Sequence, residues 1–424
     1  MRSNVDSPRI LYVAEECAFN VANGSHVRCV NVVRALQQIG RVEVVTLSDP
    51  SDTGRTISEA RREINFRYAL ETQSRPNEGL IAKIKWTFDA EKDYPRGYGL
   101  TEEGWRRISR IAKDFDLIWF YKQRCEALFP HVTWRCSVLD IDDVLSRYER
   151  ATIRVIEGVF DRALALRRVV SWRRREKLFG KRFTVLAVCS PDDKKYLRDL
   201  NVNGPIHVIP NGFEKPRTEP IRCQAIPPRI GFIGFLDYFP NREGIQWFVK
   251  MCWPLIKREI PEVRLRLVGR GSDGPVKPSG PDVDGLGWLD DPGEEIRTWS
   301  LMAVPIRIGA GTRVKIAHGF SQKCPIVSTS FGAQGYDAVN AREMCLADSP
   351  EEFAKACVSV IREPRQAQEM ANRAWRDFLE KWSWDAMRPR VWAAAEECLL
   401  SEGEKPALIP HQIPNDGALC KETI

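Results

Sequence analysis

"RIGFIGFLDYFPNREGIQWFVKMCWPLIKREIPEVRLRLVGRG" occupies residues 229–271. An apolar run, "RIGFIGF", is followed by an amphipathic stretch, and then by a second apolar run, "VRLRLVGRG", that ends in glycines. The periodicity reads as strand, helix, strand. Downstream, "VDGLGWLDD" makes a short strand and turn, "PGEEIRTWS" a helix, and "LMAVPIRIG" a strand. "GTRVKIAHGFSQ" is then a helix, "CPIVSTS" and "NAREMCLAD" are strands, and "PEEFAKACVSVIREP" is a helix. This alternation predicts a doubly wound α/β domain over 229–384.

The first half repeats the pattern less cleanly. "RILYVAE" is a strand, "VRCVNVVRALQQIG" a helix ended by Gly40, and "RVEVVTLSD" a second strand. Later strands are expected at "FDLIWFYK", "CSVLDIDD", "FTVLAVCS" and "PIHVIPNG". Apolar strands separated by amphipathic helices suggest a parallel sheet covered on both faces. The segment from Leu80 to Trp105 is aromatic, irregular and unassigned. The chain therefore reads as two Rossmann-like domains facing a central cleft. The first, 1–205, is completed by about 385–400. A proline-rich linker spans 206–228, and the tail 402–424 is expected to be loose.

Bulk properties fit this division. At 424 residues, with 43% hydrophobic and 29% charged residues, the chain is a soluble globular type long enough for two cores. No run reaches the roughly 18 apolar residues of a membrane span, and the start, "MRSNVDSPRILYVAEE", reads as a first buried strand rather than a signal peptide. Twelve cysteines are scattered singly, with no C-x-x-C pair, so they read as small core side chains in a reducing cytoplasm rather than a metal site. The net charge is +7, with basic residues concentrated between Arg154 and Arg182. That stretch is open to two readings: a solvated helix, or a face for an anionic surface.

Two absences narrow the chemistry. No G-x-G-x-x-G follows the first strand and no G-x-x-x-x-G-K-[ST] occurs, which disfavours a dinucleotide dehydrogenase and a P-loop nucleotidase. The informative stretch is 309–330, "GAGTRVKIAHGFSQKCPIVSTS". A helix beginning near Thr312 would aim free N–H groups into the cleft. Gly309 and Gly311 would let a phosphate approach the main chain. Arg313 and Lys315, two apart, do not share a helix face, so one is expected to reach phosphate and the other to brace the domain. An ordinary glycine turn with solvated cations is the alternative.

These blocks, with "LGWLDD", "PIRIGAGTRVKIAHGFSQKCPIVSTSFGAQGYD" and the closing "WSWDAM", resemble glycosyltransferase family 4, and more closely bacterial sugar transferases of exopolysaccharide clusters. The resemblance covers most of Arg229–Trp392 and extends loosely to "NGSHVRCVNVVRAL" and "HVIPNGFE". It implies the GT-B fold and retaining transfer of a sugar from a nucleoside diphosphate to a hydroxyl, with no metal or cofactor demanded. The acceptor would be a growing polysaccharide or lipid-linked glycan. The place of action would be the cytoplasm, or the inner membrane face through a peripheral contact at 154–182.

Carried over by position, Gly311, Thr312, Arg313 and Lys315 would line the donor diphosphate, with Gly234 and Phe235 near it and Gly309 in the same turn. Gly287, Trp288 and Leu289 match the loop that meets the nucleobase. Asn23, Gly24 and Ser25 match the loop beside the transferred sugar, and Gly24, Arg313 and Lys315 are the residues expected to serve the reaction itself. Asp140, Asp142 and Asp143 form an acidic cluster at a strand end, with Asp142 and Asp143 expected on the acceptor or sugar side and a structural capping role as the alternative. His26 and His131 are expected to be structural.

The chain departs from the family at two glutamates that members carry seven residues apart. Their positions fall on Ala310 and His318, the second being the ribose-gripping one. The loop after the first strand of the second domain has Asp237 and Asn241 where many relatives place Arg or Lys. These departures motivate an alternative, an inactive GT-B relative that binds or regulates. A nucleic-acid binder is disfavoured, because RNA-type aromatic and glycine signatures are missing.

Overall fold

The computed structural model describes residues 7–15, 24–47, 64–74, 80–89, 98–129, 132–337, 340, 342–401 and 408–410. Asn23 and His131 lie outside them, as do the side chains of Ser25 and His26.

Two parallel sheets organise the chain. The first contains β1 (Arg9–Ala14), β2 (Arg41–Thr46), β3 (Phe66–Ala69), β4 (Leu117–Tyr121), β5 (Ser137–Asp140), β6 (Val185–Val188) and β7 (Ile206–Val208). Its spatial order is β7-β6-β5-β4-β1-β2-β3. The second contains β8 (Arg229–Ile233), β9 (Arg264–Val268), β10 (Val283–Gly285), β11 (Leu301–Val304), β12 (Ile326–Ser328) and β13 (Cys345–Leu346), in the order β10-β9-β8-β11-β12-β13. Both orders start in the middle and run outward in two directions, which is the doubly wound topology. The reversal, between β1 and β4 in one sheet and between β8 and β11 in the other, opens a crevice at the strands' carboxyl ends. The strands are apolar along nearly their whole length because helices cover both faces. β4 and β5, for example, are buried at every position.

Six helices bear on the crevice and its surroundings: α1 (Gly24–Leu36), α2 (Leu80–Phe88), α3 (Leu145–Thr152), α4 (Val159–Glu176), α5 (Val314–Ser321) and α6 (Trp384–Ser401). The last crosses back to the first sheet's layer and packs on α1, where Trp392 Nε1 donates to Ala35 O at 2.9 Å. Within the tail read as loose, Leu408–Pro410 pairs antiparallel with Val132–Trp134. No helix among the described residues is long and apolar enough to cross a membrane.

Several local expectations are corrected. The long helix expected over 241–261 is interrupted: Phe239–Trp247 and Trp253–Glu259 flank a π turn at Phe248–Cys252. Pro254 has no N–H to continue the regular ladder, and the wider turn precedes it. Within the unassigned segment, Leu80–Phe88 forms α2, Tyr98–Leu100 pairs with Thr72–Ser74 in a two-stranded ribbon, and a helix, Glu102–Ile111, begins, capped by the Thr101 hydroxyl. The basic stretch 154–182 is not one cationic face. Arg175 and Arg182 are buried, Arg182 pairs with Glu126 and donates to Phe129 O, and Arg168 pairs with Glu149 at 2.8 Å.

Candidate functional site

The crevice is lined from the second domain by the loops after β8 and β11. The turn after β11 places Gly309 at φ +133° and Gly311 at φ +66°. A side chain at Gly311 would also overlap Asp143 Oδ1, reaching across from the first domain, so this turn needs glycine on both counts. α5 begins at Val314, close to the expected Thr312, with Arg313 as the extended cap residue (φ −85°, ψ 97°). Just before it, the buried Thr312 hydroxyl accepts the Asn211 N–H at 2.9 Å and so ties the turn to the first domain's last loop. Tyr336 fixes the helix start: its hydroxyl accepts from Ala317 N at 3.2 Å and donates to Arg313 O at 2.9 Å.

The two cations diverge as their spacing requires. The Arg313 guanidinium folds back on the turn, donating to Ala310 O and, at 2.6 Å, to Gly311 O, and lies over the Phe331 ring. Its buried Nη2 has no partner among the described residues. Lys315 reaches toward β8 and the helix that follows it: Nζ donates to Asn241 Oδ1, in the first turn of Phe239–Trp247, at 2.8 Å and sits 4.2 Å from the ring centre of Phe232 in β8. A Cβ at Gly234 would stand 3.0 Å from that Nζ and 2.7 Å from Asn241 Nδ2, so glycine is what leaves the space open. Burial, and then the Arg313 charge, pull the Lys315 ammonium well below the ordinary lysine range. Asn241, which the sequence offered only as a lost cation, is the hydrogen-bond partner that orients Lys315. Asp237, its companion in that departure, turns away to pair with Arg270 at 3.3 Å.

Farther along the crevice, Trp288 is half-exposed. Its indole donates to Asp290 Oδ1 at 2.9 Å and meets Phe235 edge-on at 5.9 Å. The Arg270 guanidinium covers Phe235 at 4.9 Å, completing an aromatic and cationic corner. Gly287 holds φ +66°, and its N–H donates to the Ser272 hydroxyl at 2.9 Å, while Leu289 packs inward on the core. His318 is buried, and its ring stacks on Phe213 at 4.0 Å with planes 14° apart. Burial pushes it down to about 4, so it is neutral at ordinary pH.

From the first domain, the acidic cluster divides by role. Asp140 is fully buried with Arg28, which also donates to Ile209 O and to Asn211 Oδ1, at 2.7 and 3.1 Å. Asp142, at φ +58°, accepts from Tyr121 and from Cys189 and Asn211, each at 3.1 Å. Burial alone would raise Asp142, but Arg28 and the Asn211 and Cys189 hydrogen bonds hold it below the usual carboxylate value. Asp143 accepts no hydrogen bond among the described residues and faces the Gly311 turn. Burial, then the Asp142 charge, push it up to about 8 against the pull of Arg313. Tyr148 stacks on Tyr238 across the crevice at 6.4 Å, and Arg147 Nη2 donates to Gln334 Oε1 at 3.3 Å. Gly24 and Ser25 open α1.

This geometry can be set beside known proteins. Residues 227–363 match the family model of glycosyl transferases group 1. The chain has the GT-B fold, and part of its second half is similar to group 1 glycosyltransferases. A 44.6 kDa protein in the cps region of Klebsiella pneumoniae is 21% identical over 301 residues, 65% of this chain and 73% of that one. Sucrose-phosphate synthase from Thermosynechococcus elongatus superposes with a TM-score of 0.68 at 15% identity, over 93% of this chain and all of that one. Anabaena HepE, solved with UDP and glucose, superposes with a TM-score of 0.61 at 13% identity, covering 92% and 99% of the two chains. At such identities the two structures establish the GT-B architecture.

Proposed function

We propose that this GT-B chain moves a sugar from a nucleoside-diphosphate sugar to a hydroxyl of a growing polysaccharide or lipid-linked glycan, with retention, on the cytoplasmic side. One observation carries the reading: a buried guanidinium nitrogen without a partner among the described residues stands with a crowded lysine at a glycine turn and a helix tip. Such a corner is electrostatically incomplete until an anion with several acceptor oxygens enters. As the bond to the sugar breaks, charge grows on the departing diphosphate. Lys315, the free edge of Arg313 and the N–H groups at the start of α5 are its stabilisers, already in place before the reaction. The base is assigned to Trp288, Phe235 and Arg270, the sugar to the first-domain side near Gly24, Ser25 and Asp143. Asp142 holds the loop. A structural relative solved with UDP and glucose supports the donor class.

The test is a panel of UDP-, GDP- and ADP-sugars assayed for nucleoside diphosphate release, with Lys315→Met beside the wild type. Release from one donor, lost in the variant, is the expected result. A second reading, a binding module without turnover, is favoured by His318, a stacked neutral ring where the family uses a carboxylate. Calorimetric binding of a nucleotide, with no release from any donor across an acceptor panel, would select it.

A further inference from the structure

We infer that α2 and α4 together form a docking surface for an anionic lipid bilayer. The sequence placed the arginines of 154–182 among Leu164, Leu166, Val169, Val170 and Trp172, but the fold sorts them differently. Val169 and Trp172 turn inward, while Leu166 and Val170 stay outside. α4 opens with Val159, 83% exposed, and Phe160, 75% exposed, beside exposed Asp161 and Arg162, and is basic toward its far end, at exposed Arg173 and Arg174 and, just past it, Lys177. α2 packs beside it and adds Ile81, 72% exposed, and Phe88, 63% exposed, together with exposed Lys85. The two helices are pinned together: Arg167 donates to the Thr87 hydroxyl at 3.1 Å, and the Arg174 guanidinium covers the Phe88 ring at 5.5 Å.

Exposed apolar side chains gathered on two adjoining helices are costly in water and mark an interaction surface. What distinguishes the partner is charge. Cations flank the apolar residues on the same face, the arrangement that seats apolar groups among acyl chains while Lys and Arg meet phosphate headgroups. A folded protein partner would be expected to supply carboxylates for these cations, and that alternative is an outcome of the test.

The surface also sits close to the cleft. Buried Glu176 of α4 accepts from Ser146 N and from Gln123 Nε2, both at 3.0 Å, and Arg168 pairs with Glu149, so α4 is locked to α3. α3 begins directly after the Asp140–Asp143 loop, and its Tyr148 stacks across the crevice. Docking would hold the acceptor side about one helix-packing distance, roughly 10 Å, from the headgroups. That consequence, unlike the docking itself, rests on the proposed transferase reading.

Flotation of the full chain with phosphatidylcholine vesicles, with and without phosphatidylglycerol, tests the surface without needing activity. The wild type is expected to float only with the phosphatidylglycerol vesicles, and less so at high salt. Phe88→Glu with Phe160→Glu is expected to lower binding at least tenfold with an unchanged melting temperature, since both side chains lie outside the core. Arg173→Glu with Lys177→Glu should do the same. No flotation overturns the inference. So does binding that survives both double variants, or a solution dimer that Phe160→Glu dissociates in a protein that ignores vesicles.

Discussion

At the scale of single residues, the crevice is a set of groups held away from their ordinary protonation. Lys315 is pulled down by burial and by Arg313, so a bound diphosphate should restore its charge. Losing a charge-assisted contact of this kind costs about 1.5–3 kcal/mol, so Lys315→Met is expected to weaken nucleoside diphosphate binding about 10- to 100-fold by calorimetry. Asp143 acts in the opposite sense. Held up to about 8, it is protonated in the empty crevice at neutral pH and becomes a carboxylate as pH rises through that value. The wild type should then lose nucleotide affinity above pH 8, while Asp143→Asn should bind more tightly than wild type there and about equally at pH 6.5. An identical pH profile for both proteins would remove Asp143 from the donor's neighbourhood. His318 makes a stability prediction. Its folded value, about 4, lies below the unfolded value of about 6.5. Its contribution is therefore complete above pH 6.5 and is lost as pH falls toward 4, because the unfolded chain takes up the proton first. At about 1.4 kcal/mol per decade the loss approaches about 3 kcal/mol. Urea midpoints at pH 7.5 and 4.5 should fall less in His318→Gln than in wild type, whatever the variant's absolute stability.

At the scale of elements, α5 is short and its start is set from outside. The Tyr336 hydroxyl bonds both Ala317 N and Arg313 O, while its ring packs on Trp382 at 4.4 Å. Tyr336→Phe keeps the packing and removes both hydrogen bonds, a loss of about 1–3 kcal/mol. A lower melting temperature and a several-fold weaker nucleotide affinity are expected; a loss of stability with affinity untouched would show that the helix tip does not need this brace. This dependence explains what could be read in advance. The alternation of apolar strands and amphipathic helices was legible because each element's pattern is local, and "GAGTR" was legible because small residues beside cations have few other uses. Tyr336, Asn241, Asn211 and Arg28 were not, since each acts through a partner 19 to 183 residues away. Which side chains of the basic stretch stay outside was not legible, for a related reason. Arginine density does not say which turns face inward, and Arg175 and Arg182 are buried.

At the scale of the whole molecule, the two sheets meet through a few contacts across the crevice. Asn211 N–H reaches Thr312, Arg147 reaches Gln334, Tyr148 stacks on Tyr238, and Asp143 rests on Gly311. Behind the first of these, Arg28 ties Asn211 to Asp140, so the fully buried ion pair of the first domain positions the second domain's turn. At Gly311 the two domains approach closely, and Gly311→Ala probes how firmly this arrangement is set. Alanine meets two penalties there: a left-handed backbone angle, about 1–2 kcal/mol, and an overlap with Asp143 Oδ1 that only movement of one domain's loop can relieve. The backbone term should lower the melting temperature by about 2–8 °C. The overlap should separate the domains, which small-angle scattering would register as a larger radius of gyration and calorimetry as a weaker nucleotide affinity. A variant that melts lower but scatters and binds like the wild type would show that Asp143 yields locally, and that the closed crevice is held by the Thr312 and Tyr238 contacts instead.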